Sequence, residues 1–241
     1  MDNTTKRAYN GYVMDTTVRS AEMEQWTPQQ IILWAVETFG NDVALSSSFQ
    51  QQSLALLHIA SRVVPSLPIF FVDTGYHFSE TLAFKQDLAR RLWLNVIDLR
   101  PEVTQEEQDA RYGPELWRRD PDLCCYLNKV QPMQQALRKC RAWITGIRRD
   151  QSARRADAQA VEYRDDGLVK VNPLLNWTRQ DVWRYIEFHN LPPHPLYKQG
   201  YRSIGCAPCT RAVTASEDER AGRWSGTGKD ECGLHTVFRV R

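Results

Sequence analysis

The cysteines are the residues of this sequence whose spacing points most directly to chemistry. Cys124 and Cys125 are adjacent, and Cys206 and Cys209 are separated by two residues. Four thiolates in two pairs are sufficient ligands for a [4Fe–4S] cluster or for a structural zinc ion. Structural zinc sites usually keep about two to four residues between paired ligands, so the adjacent pair favours the cluster. Buried thiols without a ligand would explain neither pairing.

Another cysteine, Cys232, lies near the C-terminus in the sequence Glu231-Cys232-Gly233-Leu234-His235. A thiol beside a glycine, with a histidine three residues later, has the features of an exposed nucleophile. A surface cysteine without a role is the alternative. Cys140 has no motif partner and falls at the end of a predicted amphipathic helix, which favours a core thiol.

Two predicted strand-to-helix turns carry polar residues. The first follows the apolar strand Val43-Ala44-Leu45, and the second follows Pro68-Ile69-Phe70-Phe71-Val72. In a parallel sheet such turns meet beyond the carboxyl ends of the strands, where ligands bind, and hydroxyls at a helix start suit anions. A serine-rich helix cap is the alternative for the first turn. The candidate binding residues are Ser46, Ser47, Ser48, Asp73, Thr74 and Gly75.

Basic residues are concentrated in one stretch of a chain whose net charge is only +2. Guanidinium groups suit sulfate and phosphate oxygens, although a solvated basic face or an RNA-binding patch would use the same residues. Arg220 and Arg223 precede Cys232, and Lys129 lies four residues after Cys125, one helical turn away. The basic stretch contains Arg138, Lys139, Arg141, Arg148, Arg149, Arg154 and Arg155, against the single acid Asp150.

Alternating strand and helix patterns must position these residues. After a helix capped by Thr27 and Pro28, strands are predicted at 43–45, 68–72, 96–99 and 142–146, with weaker ones at 161–163 and 169–171. Helices are predicted from Leu54, over about 79–91 and 126–139, and from Thr178, whose spacing to Asp181 indicates a capping box. This alternation predicts a doubly wound α/β fold with a mostly parallel sheet.

The composition is that of an ordinary globular protein, with 241 residues, 42% hydrophobic and 25% charged. No apolar run reaches the length of a membrane span or a signal peptide, so we expect a cytoplasmic protein without a membrane partner. A nearly neutral chain does not indicate general nucleic-acid binding. Paired cysteines in a cytoplasmic chain point to metal binding or redox chemistry.

Seven motifs in series resemble the assimilatory sulfonucleotide reductases, which reduce adenosine 5′-phosphosulfate (APS) or its 3′-phosphorylated form (PAPS). The resemblance spans about residues 40–236. The motifs are SSSFQ, VDTG, CCxxxK, TGIRRDQS, GYRSIGCAPCTR, EDERAGRW and ECGLH.

This resemblance implies a fold of the adenine-nucleotide α-hydrolase (PP-loop-like) type, with the nucleotide at the C-terminal edge of the sheet. Residues 1–25 are polar and weakly patterned, which predicts a mobile N-terminal arm or a short leading helix. A nucleotide-binding reductase domain (26–200) and a C-terminal segment (201–241) with a mobile catalytic tail are expected to follow. The resemblance also implies a [4Fe–4S] cluster on Cys124, Cys125, Cys206 and Cys209. Carried over by position, Lys129, Arg220, Arg223 and His235 surround the sulfate, Ser46, Ser47 and Ser48 lie near the phosphosulfate, and Gly146 lies near the nucleotide; Arg154 or Arg155 is a further candidate.

The mechanism implied by the resemblance begins with attack of the Cys232 thiolate on the sulfur of the bound sulfonucleotide. AMP leaves, and reduced thioredoxin (or glutaredoxin) cleaves the resulting S-sulfocysteine to release sulfite. The cluster cysteines favour APS, whereas the loop SSSFQQQS is closer to the PAPS-reducing branch. We expect a homo-oligomer as the common default.

Two rival classes use the same features. ATP-cleaving tRNA-thiolating enzymes share the fold but typically carry a glycine-rich SGGxDS loop that SSSFQ lacks. A cluster-stabilised redox sensor would account for the cysteines but would leave Arg220, Arg223, Cys232 and His235 without a role.

Overall fold

A six-stranded β-sheet forms the centre of the structure, a computed structural model that describes residues 8–9, 12–13, 16–229 and 231–235. The strand order is β5-β4-β3-β6-β8-β7, and all neighbours are parallel except the antiparallel pair β7 and β8. The strands are β3 (Val43–Ser46), β4 (Pro68–Val72), β5 (Asn95–Leu99), β6 (Ala142–Ile144), β7 (Val161–Tyr163) and β8 (Val169–Val171). Two further strands, β1 (Ala8–Tyr9) and β2 (Tyr12–Val13), pair with each other.

Nine α-helices are present in the described residues, and several begin with capping boxes that the sequence displays. Thr27, Thr104 and Thr178 each accept a hydrogen bond from the third residue of their helix. The helices are α1 (Thr16–Met23), α2 (Pro28–Phe39), α3 (Leu54–Val63), α4 (Ser79–Leu92), α5 (Gln105–Tyr112), α6 (Leu116–Arg119), α7 (Pro121–Cys125), α8 (Gln131–Leu137) and α9 (Arg179–Phe188). Among the described residues, no helix is both long and apolar enough to span a bilayer.

The two faces of the sheet bury two separate apolar clusters. Because side chains alternate along a strand, Leu45 and Ile69 point into one cluster with residues of α2, α3 and α9. Ala44 and Phe70 point into the other, which contains Met133 of α8 and, from the C-terminal segment, Leu234. Helices therefore cover both faces, which confirms the predicted doubly wound fold. The second cluster also draws the C-terminal segment onto the sheet.

The chain reverses direction across the sheet next to β3. It runs outward from β3 to β4 and β5, and then returns to place β6 on the opposite side of β3. The connections after β3 and β6 therefore diverge, which opens a crevice beyond their carboxyl ends. The serine turn follows β3 and Gly146 follows β6, so the fold brings both predicted binding segments to this crevice.

The structure differs from the sequence prediction mainly around the first cysteine pair. The predicted helix at 126–139 begins earlier, at Pro121, and is interrupted by a π-helical turn at Tyr126–Val130. Helices α5 and α6 were not predicted, because α5 (QEEQDARY) has almost no apolar residues to reveal its period. Of the two alternatives for residues 1–25, the structure contains a short leading helix, α1, whose Met23 is buried in the core.

His194 joins helix α4 to the segment that leads into the C-terminal cysteines. Its Nδ1 accepts a hydrogen bond from the Leu196 N–H, and its Nε2 contacts Thr81 Oγ1 at 3.2 Å. The ring is fully buried, and this burial lowers the pKa of His194 to about 4, with Glu80 partly opposing the effect. Protonation of Nδ1 would also break the bond from Leu196.

We expect this histidine to make the fold sensitive to acid. Since its folded pKa lies below its unfolded value of 6.5, the unfolded state binds the proton first and stability falls as the pH decreases below about 6.5. The loss from this residue between pH 7 and pH 5 is about 2 kcal/mol. The free energy of unfolding should be measured with urea at pH 7 and at pH 5. In His194→Gln, we expect the decrease between these pH values to be smaller by the contribution of this histidine. An equal pH dependence in the variant would contradict this assignment.

Candidate active site

A deep cleft lies at the crevice between β3 and β6 and, with its open mouth, contains about 1130 Å³ of empty space. Most of the residues predicted from separate parts of the sequence line this one cleft. Of the two arginine candidates, Arg155 lines the cleft and Arg154 does not, while a contact with substrate remains a prediction. The predicted residues in the cleft are Ser46, Ser47, Ser48, Lys129, Gly146, Arg155, Arg220, Arg223, Cys232 and His235.

The serine turn is held in a strained conformation. Phe49 has a positive φ of 53° and is fully buried, and its N–H donates to Ser47 Oγ at 3.1 Å. Ser46 Oγ accepts a hydrogen bond from Trp143 Nε1 at 2.8 Å. A left-handed backbone costs about 1–3 kcal/mol for a residue other than glycine and is typical of functional turns. The turn is thus fixed by its surroundings before any ligand binds.

Asp73, Thr74 and Gly75 do not line the cleft, although they were predicted to bind substrate. Asp73 forms an ion pair with Arg100 at 3.3 Å and accepts the Gly75 N–H at 3.2 Å. Thr74 instead faces the cysteines, with its Oγ1 3.4 Å from the Cys206 sulfur. Their predicted role in substrate binding remains a prediction, and the structure places Thr74 beside a different cavity.

This second cavity, of about 400 Å³, is lined by all four cysteines of the two pairs. Asn128 Nδ2 donates to the Cys124 sulfur at 3.6 Å. The two cysteine segments come together because Cys206 forms a β-bridge with His77, and the Ala207 N–H donates to the Tyr76 carbonyl at 2.7 Å. The loop after β4 therefore holds Cys206 and Cys209 beside Cys124 and Cys125.

The cavity is a poor environment for free thiolates. Burial, together with the neighbouring cysteines, raises the pKa of Cys124 to about 12 and that of Cys209 to about 11. Binding of a metal group would displace these protons and release them to the solvent. In residues 16–229 and 231–235, no three His, Cys, Asp or Glu side chains are grouped closely enough to hold a single metal ion.

Lys129 and Arg223 line both the cleft and the cysteine cavity. Burial alone would lower the pKa of Lys129, but the thiols of Cys206, Cys232 and Cys125 raise it above its usual value. Lys129 lies in the π-helical turn, a local irregularity that is frequent at functional sites. The two cations thus form the wall between the cavities.

Arg223 is held by close packing. Its guanidinium lies 4.3 Å from the Trp224 ring centre, and a side chain at Gly205 would collide with it. Burial lowers the pKa of Arg223, while Cys206 and Cys232 oppose that effect. A side chain at position 205 would therefore displace this guanidinium.

His235 is half-buried in the cleft and stacks on Trp143, with ring centroids 5.3 Å apart and planes 9° apart. Burial lowers the pKa of His235 well below its usual value, and the nearby charges of Arg155 and Lys170 lower it further. The imidazole is therefore neutral at pH 7. It can offer a hydrogen bond to a ligand but no positive charge.

Several buried nitrogen atoms in the cleft have no hydrogen-bond partner. Six buried side-chain polar atoms within the described ranges lack one, and four of these six belong to residues that line the cleft. Buried polar atoms in folded proteins are nearly always paired, so such a concentration indicates a ligand-binding site. The four atoms are His77 Nδ1, Arg155 Nε, Arg223 Nε and His235 Nδ1.

Sequence reasoning missed three residues of the site. Trp143 supports His235 and the serine turn, His77 lines the cleft, and Glu231 pairs with Arg155 and Arg220. Trp143 lies in a predicted strand and His77 had no ligand spacing, so neither gave a signal. Glu231 lay within the ECGLH motif, and its position beside Cys232 was the available clue.

Comparison with known proteins decides the family. Residues 42–212 match the model of the phosphoadenosine phosphosulfate reductase domain. The adenosine 5′-phosphosulfate reductase of Streptomyces coelicolor is 47% identical over 215 residues, which are 89% of this chain and 90% of that protein. The chain belongs to this reductase family.

Other relatives agree with this reductase assignment. The adenosine 5′-phosphosulfate reductase of Salinibacter ruber is 42% identical over 90% of this chain and 87% of that protein. The crystal structure of a phosphoadenylyl-sulfate reductase from Candida auris, a phosphate complex, superimposes with a TM-score of 0.69. It is 28% identical and covers 80% of this chain and 94% of that chain. The fold and the family predicted from the motifs are confirmed.

Proposed function

We propose that this protein reduces APS to sulfite and AMP, with Cys232 as the nucleophile and reduced thioredoxin as the electron donor. The observation that carries the proposal is the concentration of partnerless buried nitrogen atoms in a cleft that also contains the Cys232 thiol. The family assignment favours a reductase over the ATP-cleaving tRNA-thiolating enzymes, and several relatives at 39–47% identity are named APS reductases.

The residues of the cleft suit a sulfonucleotide. Lys129, Arg223 and Arg155 supply positive charge and directed donors, which suit the oxygens of a phosphosulfate. The serine turn and Gly146 lie at the carboxyl ends of β3 and β6, where nucleotides bind in doubly wound sheets. His235, being neutral, would donate or accept one hydrogen bond without adding charge.

The first chemical step is a displacement at sulfur. The Cys232 thiolate forms a bond to the sulfur of the sulfonate group, the bond from that sulfur to the phosphate oxygen breaks, and AMP leaves with the electron pair. Negative charge shifts from the thiolate toward the leaving phosphate. Fixed cations around the sulfonate stabilise this change, because they need no reorganisation during the step.

The second step consumes the reductant. A thioredoxin thiolate attacks the Cys232 sulfur of the S-sulfocysteine, and sulfite leaves with the bonding pair. The second thioredoxin thiol resolves the mixed disulfide, which returns Cys232 as a thiol and leaves thioredoxin oxidised by two electrons. The reaction belongs in the cytoplasm, where thioredoxin is kept reduced, and we retain the homo-oligomer as a proposal.

The four cavity cysteines fit a [4Fe–4S] cluster. The donor set consists only of thiols, which are the usual ligands of such clusters, and Lys129 and Arg223 would compensate the negative charge of the bound group. When bound, the group would supply a fixed local charge beside the cleft. Lys129 would then feel both this charge and the sulfonate of the substrate, while Cys232 and thioredoxin carry the electrons.

Substrate choice is the first test of this proposal. We expect thioredoxin-dependent sulfite release from APS to exceed that from PAPS at least about tenfold in kcat/KM, as the names of the relatives suggest. Both substrates should be assayed side by side with protein purified without oxygen. Comparable or better turnover of PAPS would instead show that the SSSFQQQS loop, and not the cluster cysteines, indicates which sulfonucleotide is the substrate. Release of no sulfite from either would overturn the proposed reaction.

A further inference from the structure

Glu231, the residue before Cys232, has a carboxylate that is almost completely buried, with 8% of its side chain exposed. Its Oε2 accepts from Arg155 at 2.9 Å and lies 3.4 Å from an Arg220 nitrogen. Its Oε1 accepts from the Ser152 hydroxyl at 3.3 Å. The carboxylate thus joins two arginines of the cleft wall to the segment that carries the nucleophile.

Such a contact has a large expected effect on the position of the segment. A buried carboxylate that loses its charged partners is costly, because its desolvation is no longer compensated. Opening of the segment would expose Glu231 to water and would remove the carboxylate that both Arg155 and Arg220 contact. The closed arrangement is therefore favoured while all three charges are present.

Arg155 connects this contact to the anion site. One end of its guanidinium binds Glu231, while its buried Nε has no hydrogen-bond partner and belongs to a residue of the cleft. Since the guanidinium is planar and rigid, fixing one end fixes the direction of the other. Glu231, together with Gln151, which accepts from the other Arg155 terminal nitrogen, thereby orients an anion donor, and Glu231 also positions Cys232.

We propose that Glu231 is a positioning residue that clamps the Cys232 segment closed over the cleft through Arg155 and Arg220. The inference rests on the proposed function for its catalytic consequence, but the clamp itself is a property of the protein without substrate. Glu231 touches no reacting atom in this scheme. Its carboxylate also offsets part of the positive charge that attracts the substrate.

The clamp is tested by the accessibility of the Cys232 thiol. In the holoprotein without substrate, we expect Glu231→Gln to raise the limiting rate of Cys232 alkylation by iodoacetamide about tenfold, as a charged hydrogen bond is lost. The rate is measured for the Cys232 peptide by mass spectrometry over a range of pH. Loss of closure raises the plateau at high pH, whereas loss of a nearby negative charge alone shifts only the midpoint.

Glu217→Gln is the matched control. Glu217 lies in the same C-terminal segment and pairs with Arg211 at 2.6 Å, but it does not line the cleft. It should leave the alkylation plateau of Cys232 unchanged. In a background with both Arg155→Gln and Arg220→Gln, Glu231→Gln should add little, because residues of one network are not additive. An unchanged plateau in Glu231→Gln, or full additivity, would overturn the clamp.

Kinetics supply a second readout that a purely structural ion pair would not produce. Glu231→Gln should lower kcat about tenfold or more while KM stays the same or decreases, since the nucleophile is misplaced but the anion site gains net positive charge. A rise in KM with unchanged kcat would contradict the positioning role. If wild-type protein released no sulfite, the alkylation result would still decide the clamp separately from the proposed function.

Discussion

Cys232→Ser is expected to abolish thioredoxin-dependent sulfite release while the protein keeps its fold and the visible absorption expected of the proposed cluster. Serine can occupy the same half-buried position, but its hydroxyl is a far weaker nucleophile than a thiolate at neutral pH. Removal of the nucleophile in other enzymes lowers kcat by about 10⁶-fold, so we expect a loss of at least about 10⁴-fold here. The measurement is sulfite release with APS under single-turnover and multiple-turnover conditions.

A covalent intermediate provides the control for this prediction. Wild-type protein mixed with APS in the absence of thioredoxin should gain one sulfonate on the Cys232 peptide, which mass spectrometry resolves. Cys232→Ser should gain none, and Cys140→Ser should behave like wild type, because Cys140 lies outside the cleft. Sulfite release by Cys232→Ser at a rate near that of wild type would sink the proposed mechanism and revive the redox-sensor interpretation.

Cys206→Ser is expected to lose bound iron and much of the stability of the region around the cysteine cavity. Cys206 contributes to this region in three ways. It lines the cavity, its sulfur contacts Thr74 Oγ1, and its backbone forms a β-bridge with His77. A cofactor held by four thiolates stabilises only the folded state, so its loss lowers the free energy of unfolding. We expect Tm to fall by roughly 10 °C. The loss of the cofactor removes several kcal/mol from the free energy of unfolding, and in a chain of this size each kcal/mol shifts Tm by about 2–4 °C.

Cys140→Ser again serves as the matched variant for this prediction. Its sulfur is partly buried against the second apolar cluster, and burial raises the pKa of Cys140. This variant should keep its iron and lose only the small free energy of packing. Iron analysis and the visible spectrum decide the outcome. Full iron content in Cys206→Ser would show that the four cysteines do not hold a cluster together.

Much of the fold and the cleft could be predicted because the responsible residues carry strong local signals. Continuous apolar runs marked β3 and β4, and the capping residues Thr27 and Thr178 marked two helix starts. The parallel order of strands then placed the serine turn and Gly146 at one edge of the sheet. The spacing of the cysteines and the resemblance of the motifs singled out Cys232 and the two cysteine pairs, and the structure places Cys232 in the cleft and the two pairs around one cavity.

Features set by tertiary contacts could not be predicted in this way. Helix α5 is so polar that only its capping box, Thr104 with Glu107, distinguishes it from a loop. The π-helical turn that carries Lys129 has no sequence signature. Thr74 was assigned to the substrate because it follows a strand, but the pairing of His77 with Cys206 turns that connection toward the cysteines. Residue spacing does not encode such a pairing between distant segments.

The β-bridge between His77 and Cys206 brings together two parts of the cysteine cavity that are synthesised at different times. Cys125 and Cys206 lie roughly 80 residues apart, so at about 5–20 residues per second the second pair of cysteines is made on the order of 4 to 16 s after the first. During that interval the first pair lies in an incomplete cavity that lacks its opposite wall. An iron–sulfur group held by all four cysteines can therefore bind with its full ligand set only after Cys209 has been synthesised.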